Sequence, residues 1–432
     1  MHRARPAVAF SGPPSGPAFG TAPRLVLKPA RLVELLLPRR EEEIATAVTA
    51  LQRPVRKAHR LASPNVSLRG PDGYDRIYPP QRFGGDFSAP DASLEPGVYR
   101  GMVGASGYSR LELVVDAHLD IAWNAVSAGR GFLSAPAPGY VISSESLSAA
   151  GVGLVFATLY TAPAHAKHAM HTRFVYENER EAAIMAIAEV NYYKSCDLQL
   201  IGTKKELAAY VRGWRKGRVA AVLLMEGADP VETPSHLGAW TDMGVRVIGL
   251  AWGATRYSGG TGAPGGLTDL GRQLLKAMKR KHVILDLSHM ADQAVEEALD
   301  TWRGPIIASH SNARAIVPGD RQITDATAAE VARRGGMLGI SFYAHHLRIS
   351  GRASLADVVR HTVHLARAAG GPECVGLGTD LDGGFDSRYA PFKKLTELKD
   401  LPVRLRKHFS RAQVEGVMGG NWIDFLGRAL PD

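Results

Sequence analysis

From residue 111 onward, short apolar runs rich in branched side chains alternate with amphipathic stretches. The runs are LELVVDAH (111–118), VGLVFATLY (152–160), VAAVLLME (219–226), VRVIGLAW (245–252), HVILDLSH (282–289), GPIIASH (304–310), GMLGISFY (336–343) and CVGLGTD (374–380). Their apolar character is continuous rather than alternating, the pattern of parallel strands covered on both faces. Between them, residues 177–196, 267–281, 291–302, 324–335 and 354–370 space apolar positions three or four apart, which predicts helices. Thr268 is placed to cap the helix at 267–281, and Gly370 to end the one at 354–370. Residues 410–430 predict closing helices. Strand alternating with helix eight times predicts an α/β fold, the (β/α)8 TIM barrel, which needs about 250 residues or more.

The first 105 residues do not follow this pattern. Residues 31–61 have the spacing of one or two short helices, and the rest is rich in Pro, Gly and Asp. We expect a poorly ordered N-terminal extension over 1–105 and the barrel over 106–432, with Met102 as a candidate alternative start. Charge divides the chain in the same way. The net charge is +10, but residues 1–70 hold 12 Lys/Arg against 4 Asp/Glu, and residues 71–432 are nearly balanced. A nucleic-acid role is therefore not expected of the barrel. Two distant cysteines, Cys196 and Cys374, do not form a disulfide framework and are read as core thiols. The N-terminus lacks the unbroken apolar stretch of about 7–15 residues that a secretory signal needs. No run reaches the roughly 20 apolar residues of a membrane span. A cytoplasmic location is the expectation.

Chemistry gathers where the predicted strands end. The first ends in His118 with Asp120 two residues on, the third in Glu226, the fifth in His289, the sixth in His310 and the eighth in Asp380. Residues two apart in extended chain face one side, so His118 and Asp120 can share a cation. Imidazole with carboxylate suits Zn²⁺ and similar ions. Three histidines and three carboxylates exceed one four-coordinate site and fit two metals sharing a carboxylate. Other histidines rank lower: HAKHAMH (165–171) is read as a solvated loop, and His345 and His346 either line the pocket or face solvent. The glycine-rich GGTGAPGG (259–266) has no following GK[ST] and is read as a flexible rim loop.

In order, the motifs DAHLDIAW, MEGADP, ILDLSHM, IIASHSNARAI, GISFY and VGLGTDLDGG resemble the membrane dipeptidase (renal dipeptidase) family, M19-type zinc peptidases on an amidohydrolase-like barrel. The likeness spans about residues 111–430. It implies metal-dependent hydrolysis of dipeptides by a bridging hydroxide in a binuclear zinc site, two Zn²⁺ per chain. His118 and Asp120 would hold one zinc, His289 and His310 the other, and Glu226 would bridge them. Asp380 would be the catalytic proton shuttle; Asp382 is the alternative, farther out and suited to bracing the loop. Arg321 would grip the substrate carboxylate, and Tyr343 would line the pocket. Better-known members carry a histidine for the oxyanion after the fourth strand, where this chain has Trp252, with Arg256 and Tyr257 nearby as substitutes. Gln322 stands where asparagine is usual. The resemblance also implies a homodimer. The alternatives are another amide hydrolase, acting on N-acyl amino acids or cyclic amides, and an impaired barrel that only binds.

Overall fold

The computed structural model describes residues 113–432 apart from 134 and 165–171. The expected extension over 1–105, its boundary with the barrel, the helical spacing at 31–61 and HAKHAMH all lie outside the described residues.

Eight parallel strands close on themselves. They are β1 (Val114–Leu119), β2 (Val152–Tyr160), β3 (Ala220–Glu226), β4 (Val245–Gly249), β5 (Ile284–Asp286), β6 (Ile306–Ala308), β7 (Met337–Ile340) and β8 (Val375–Leu377). Each pairs with the next, and β8 returns to β1 at Asp116 opposite Leu377. Each strand falls within a predicted run, except that β1 extends one residue beyond its run, to Leu119. The runs are apolar throughout because both faces are covered: every residue of β1, β2 and β3 is buried. Helices follow each strand: α1 (Ser144–Ala150), α2 (Glu179–Ser195), α3 (Leu237–Asp242), α4 (Asp269–Arg280), α5 (Asp292–Thr301), α6 (Asp325–Arg333), α7 (Leu355–Ala368) and α8 (Asn421–Ala429). Thr268 caps α4 by accepting the Gly271 amide, and Gly370 adopts the left-handed backbone just beyond α7.

The core has two parts. The larger lies between strands and helices. The smaller fills the barrel with Val115, Phe156, Val222, Leu224, Val247 and Ile307, and is closed below by Trp422 of α8. The Trp422 indole donates to the Leu377 carbonyl at 3.0 Å. Truncating such a fully buried aromatic residue typically costs about 3–5 kcal/mol. This packed floor leaves only the opposite mouth for chemistry.

The glycine-rich stretch corrects one expectation. Ser258–Gly260 and Ala263–Leu267 form an ordered antiparallel hairpin after β4 rather than a flexible loop. Two of its glycines reflect close approach of backbones: a Cβ on Gly260 would collide with the Gly253 carbonyl, and one on Gly259 with Gly265. A short strand, Gln199–Leu200, and the helix Lys204–Gly213 were not foreseen. Among the described residues, no helix is long and apolar enough to cross a membrane.

Candidate metal centre

The barrel brings six acids and imidazoles to the mouth at the strands' C-terminal ends. His118 lies in β1 and Asp120 just beyond it. Glu226 ends β3, His289 and His310 follow β5 and β6, and Asp380 follows β8. Alternation alone does not align His118 with Asp120. The β1–β2 register shifts between Asp116 and Leu119, and Asp120 begins the short helix Ile121–Val126. His289 and Asp380 have left-handed backbones, φ 66° and 62°. Such backbone is costly in non-glycine residues and persists where the surroundings enforce it. Gly383 is equally constrained, because a Cβ there would strike the carboxylate oxygens of Asp380 and Asp120.

Glu226 sits at the centre. Its Oε2 lies 3.5 Å from His118 Nε2. Its Oε1 lies 3.1 Å from His289 Nε2 and 3.3 Å from His310 Nε2. Asp120 Oδ1 stands 4.0 Å from His118 Nε2 and accepts a hydrogen bond from Thr158. One carboxylate therefore faces two lobes. The ligand atoms of Glu226, His289 and His310 lie within 4.8 Å of one another, as do those of His118, Asp120 and Asp380.

These residues fit cations better than they fit one another. The Nε2 atoms of His289 and His310 are 3.0 Å apart beside the same carboxylate oxygen. His118 Nε2 is buried and makes no hydrogen bond. Burial opposes charge on His118, but the carboxylates of Glu226, Asp120 and Asp380 outweigh it and lift the imidazole to about 10. Burial, followed by the Glu226 charge, raises Asp120 to about 6. Burial also pushes Asp380 well above the usual carboxylate range. Glu226 goes the other way: burial opposes its charge, but the His118 charge and the adjacent His289 and His310 imidazoles hold its pKa well below the ordinary value. Burial, then Arg321, takes His289 to about 4. Burial, then His118 and Arg321, depresses His310. A bound dication reverses this logic by favouring ionised carboxylates and neutral imidazoles together.

The sequence profile of the membrane dipeptidase family (Peptidase family M19) matches residues 109–429. The chain belongs to this family. It is 30% identical over 237 residues to an uncharacterized dipeptidase of Schizosaccharomyces pombe, covering 52% of this chain and 56% of that one. It is 30% identical over 224 residues to a dipeptidase of Claviceps purpurea, covering 50% and 52%. The chain thus spans about half the length of these curated relatives. Among solved structures, a metallo peptidase from Rhodobacter sphaeroides, liganded with a phosphinate mimic of L-Ala-D-Ala, superposes with a TM-score of 0.64. That match is 23% identical and covers 73% of this chain and 99% of the other. A second family dipeptidase superposes at 0.65, 22% identical over 74% and 100% of the two chains. Both share the barrel.

The remaining residues anticipated for a dipeptidase lie around the same mouth. Arg321 is 8% exposed and donates from Nη2 to the His310 carbonyl at 2.8 Å and from Nη1 to Ser311 Oγ at 3.2 Å. Trp252 stacks obliquely beside His289, ring centres 6.0 Å apart, and beside Tyr160 at 5.4 Å. Tyr343 packs against His346, Phe385 and Tyr389. His345 is exposed, whereas the His346 ring meets Ser341 Oγ at 3.0 Å. Asp382 accepts the Val141 and Ile142 amides, at 3.0 and 2.7 Å, tying the 140s loop to the mouth. The suggested oxyanion substitutes are engaged elsewhere: the Tyr257 hydroxyl donates to the Val231 carbonyl, and Arg256 donates to Val231 and Glu232 and faces Asp229. A layer behind the ligands was missed: Asp116, Asp286, Ser309, Thr158 and Thr261. For Asp116, Thr158, Asp286 and Ser309 the visible signal was a polar residue inside an otherwise apolar run; Thr261, in the glycine-rich stretch, carried none.

Proposed function

We propose that this protein hydrolyses dipeptides at a two-zinc site. The observation that carries the reading is Glu226, whose two oxygens face two separate imidazole groups. The likeness to dipeptidases, and the dipeptide mimic bound to a structural neighbour, support the substrate class. His118 and Asp120 would hold one ion, His289 and His310 the other, with Glu226 common to both. When bound, two zinc ions would supply Lewis acidity and, by acidifying a bridging water, hydroxide at neutral pH.

The chain's own groups do the rest. The Asp380 carboxyl is placed to accept a proton beside His118 and Asp120 and to pass it to the departing amine. The Arg321 guanidinium, anchored on His310 and Ser311, holds positive charge beside the second lobe and suits a free carboxylate. The Trp252 indole walls the side next to His289; it can donate one hydrogen bond and carries no charge. That apolar wall is also the one observation favouring a second reading, hydrolysis of N-acyl amino acids.

The test is hydrolysis of a panel of L,L- and L,D-dipeptides and N-acyl amino acids, with chelator and with zinc restored. We expect dipeptide cleavage that chelator abolishes and zinc restores, and that His289→Ala removes. Cleavage indifferent to chelator, or a zinc-loaded protein inert toward every dipeptide, overturns the proposal.

A further inference from the structure

We infer that Ser309, held by Asp286, is a positioning residue that fixes the tautomer of His118 and His310 together, so that one hydroxyl sets a ligand atom in each lobe. The inference rests on reading the cup as a two-metal site. Asp286 ends β5 and is 2% exposed. Its Oδ1 accepts two backbone amides, Ser288 at 3.0 Å and Ser309 at 2.8 Å. Its Oδ2 accepts the Ser309 hydroxyl at 2.5 Å. A carboxylate can only accept, so the single hydroxyl hydrogen of Ser309 is committed to Asp286. The Ser309 lone pairs face His310 Nδ1 at 2.8 Å and His118 Nδ1 at 3.3 Å. Both rings must then donate from Nδ1. A neutral imidazole that is protonated at Nδ1 presents its lone pair at Nε2, the atom each ring turns toward Glu226.

Two details sharpen this. Ser288 Oγ lies 3.3 Å from Ser309 Oγ and competes for the same lone pairs, so the nearer ring, His310, is held more firmly than His118. His289 has a separate anchor, Thr261 Oγ1 of the glycine-rich hairpin, 3.1 Å from its Nδ1. Ser309 therefore serves both lobes, whereas Thr261 serves one.

The substitution Asp286→Asn tests the direction of the chain of hydrogen bonds without changing its shape. The oxygen of the introduced carboxamide must stay with the two backbone amides, since its NH₂ group there would face two donors. The NH₂ then points at Ser309 Oγ, and the hydroxyl hydrogen turns to the nearer ring. That moves the His310 proton to Nε2 and blocks its ligand atom.

The experiment measures stepwise zinc affinities by chelator competition, together with long-range ¹H–¹⁵N spectra of histidine-labelled protein. Parent, Ser309→Ala, Asp286→Asn and Thr261→Ala are compared, with metal-free thermal unfolding as the fold control. In Ser309→Ala both affinities should fall together, on the order of 10–100-fold, the scale for losing a metal ligand's outer partner. In Thr261→Ala only one should fall. In Asp286→Asn one step should weaken far more than the other, with metal-free His310 carrying its proton on Nε2. Should Ser309→Ala not fold, the isosteric Asp286→Asn still decides. A parent that takes up two zinc ions, with Asp286→Asn binding alike and His310 still protonated at Nδ1, overturns the inference alone. A parent that binds no zinc overturns the two-metal reading and the inference with it.

Discussion

Replacing Glu226 with Gln keeps the side chain's size and removes the one negative charge common to both lobes. The carboxylate lies 3.3 Å from His310 Nε2 and 3.5 Å from His118 Nε2, so a cation held by either imidazole is at close range. A unit charge pair about 3.3 Å apart is worth about 5 kcal/mol at an effective dielectric near 20. That corresponds to roughly three and a half powers of ten in affinity. The Gln carbonyl oxygen remains a neutral ligand and recovers part of it. The expected loss is therefore about 10²- to 10³-fold, and it should appear at both zinc sites. Stepwise zinc affinities from chelator competition measure this, with metal-free unfolding confirming an intact fold. Removing a ligand of one lobe, as in His289→Ala, should weaken mainly one site. Glu226→Gln protein holding two zinc ions within about threefold of parental affinity refutes the shared-carboxylate reasoning.

Four further outcomes are expected. Arg321→Lys should lose a charge-assisted bond worth about 1.5–3 kcal/mol, raising KM for free dipeptides roughly 10- to 100-fold and that for dipeptide amides little; equal effects on both contradict carboxylate recognition. Trp252→His should raise kcat, by up to about 10²-fold, at unchanged zinc content; an unchanged or lower kcat removes the oxyanion explanation. Zinc uptake near pH 7–8 should release protons, because the surrounding carboxylates, against the effect of burial, lift metal-free His118 to about 10. The raised His118 pKa also stabilises the metal-free fold below about 6.5, a contribution lost as pH rises through about 10. Calorimetry in buffers of different ionisation enthalpy reads the proton release, and uptake without release contradicts it. Gly339→Ala would drive a Cβ into the Ser309 carbonyl and should cost on the order of 3 kcal/mol in denaturant unfolding; a parental midpoint contradicts the close packing of β6 against β7.

Much of this was legible in the sequence because strand ends in a closed parallel barrel converge. His118, Glu226, His289 and His310 each terminate an apolar run, and closure alone brings them together. The second layer was not legible. Asp116 sits two residues before His118, and strict alternation would aim it at the site. It instead takes the Thr379 amide and hydroxyl at 2.7 and 2.5 Å, a partner 263 residues away. Asp286 and Ser309 likewise meet only because β5 and β6 are neighbours. Local pattern carries no record of such pairings. GGTGAPGG misled for a related reason: Gly259 and Gly260 are there because backbones crowd them, and Gly262 because the turn takes a left-handed backbone, within an ordered hairpin.

The central claim is that two cations share Glu226 at one mouth of the barrel. Anomalous diffraction from zinc-loaded crystals, collected on either side of the zinc edge, tests it most directly. Two zinc peaks should flank the Glu226 carboxylate, one beside His118 and Asp120 and one between His289 and His310. A single peak, or peaks away from Glu226, would contradict it.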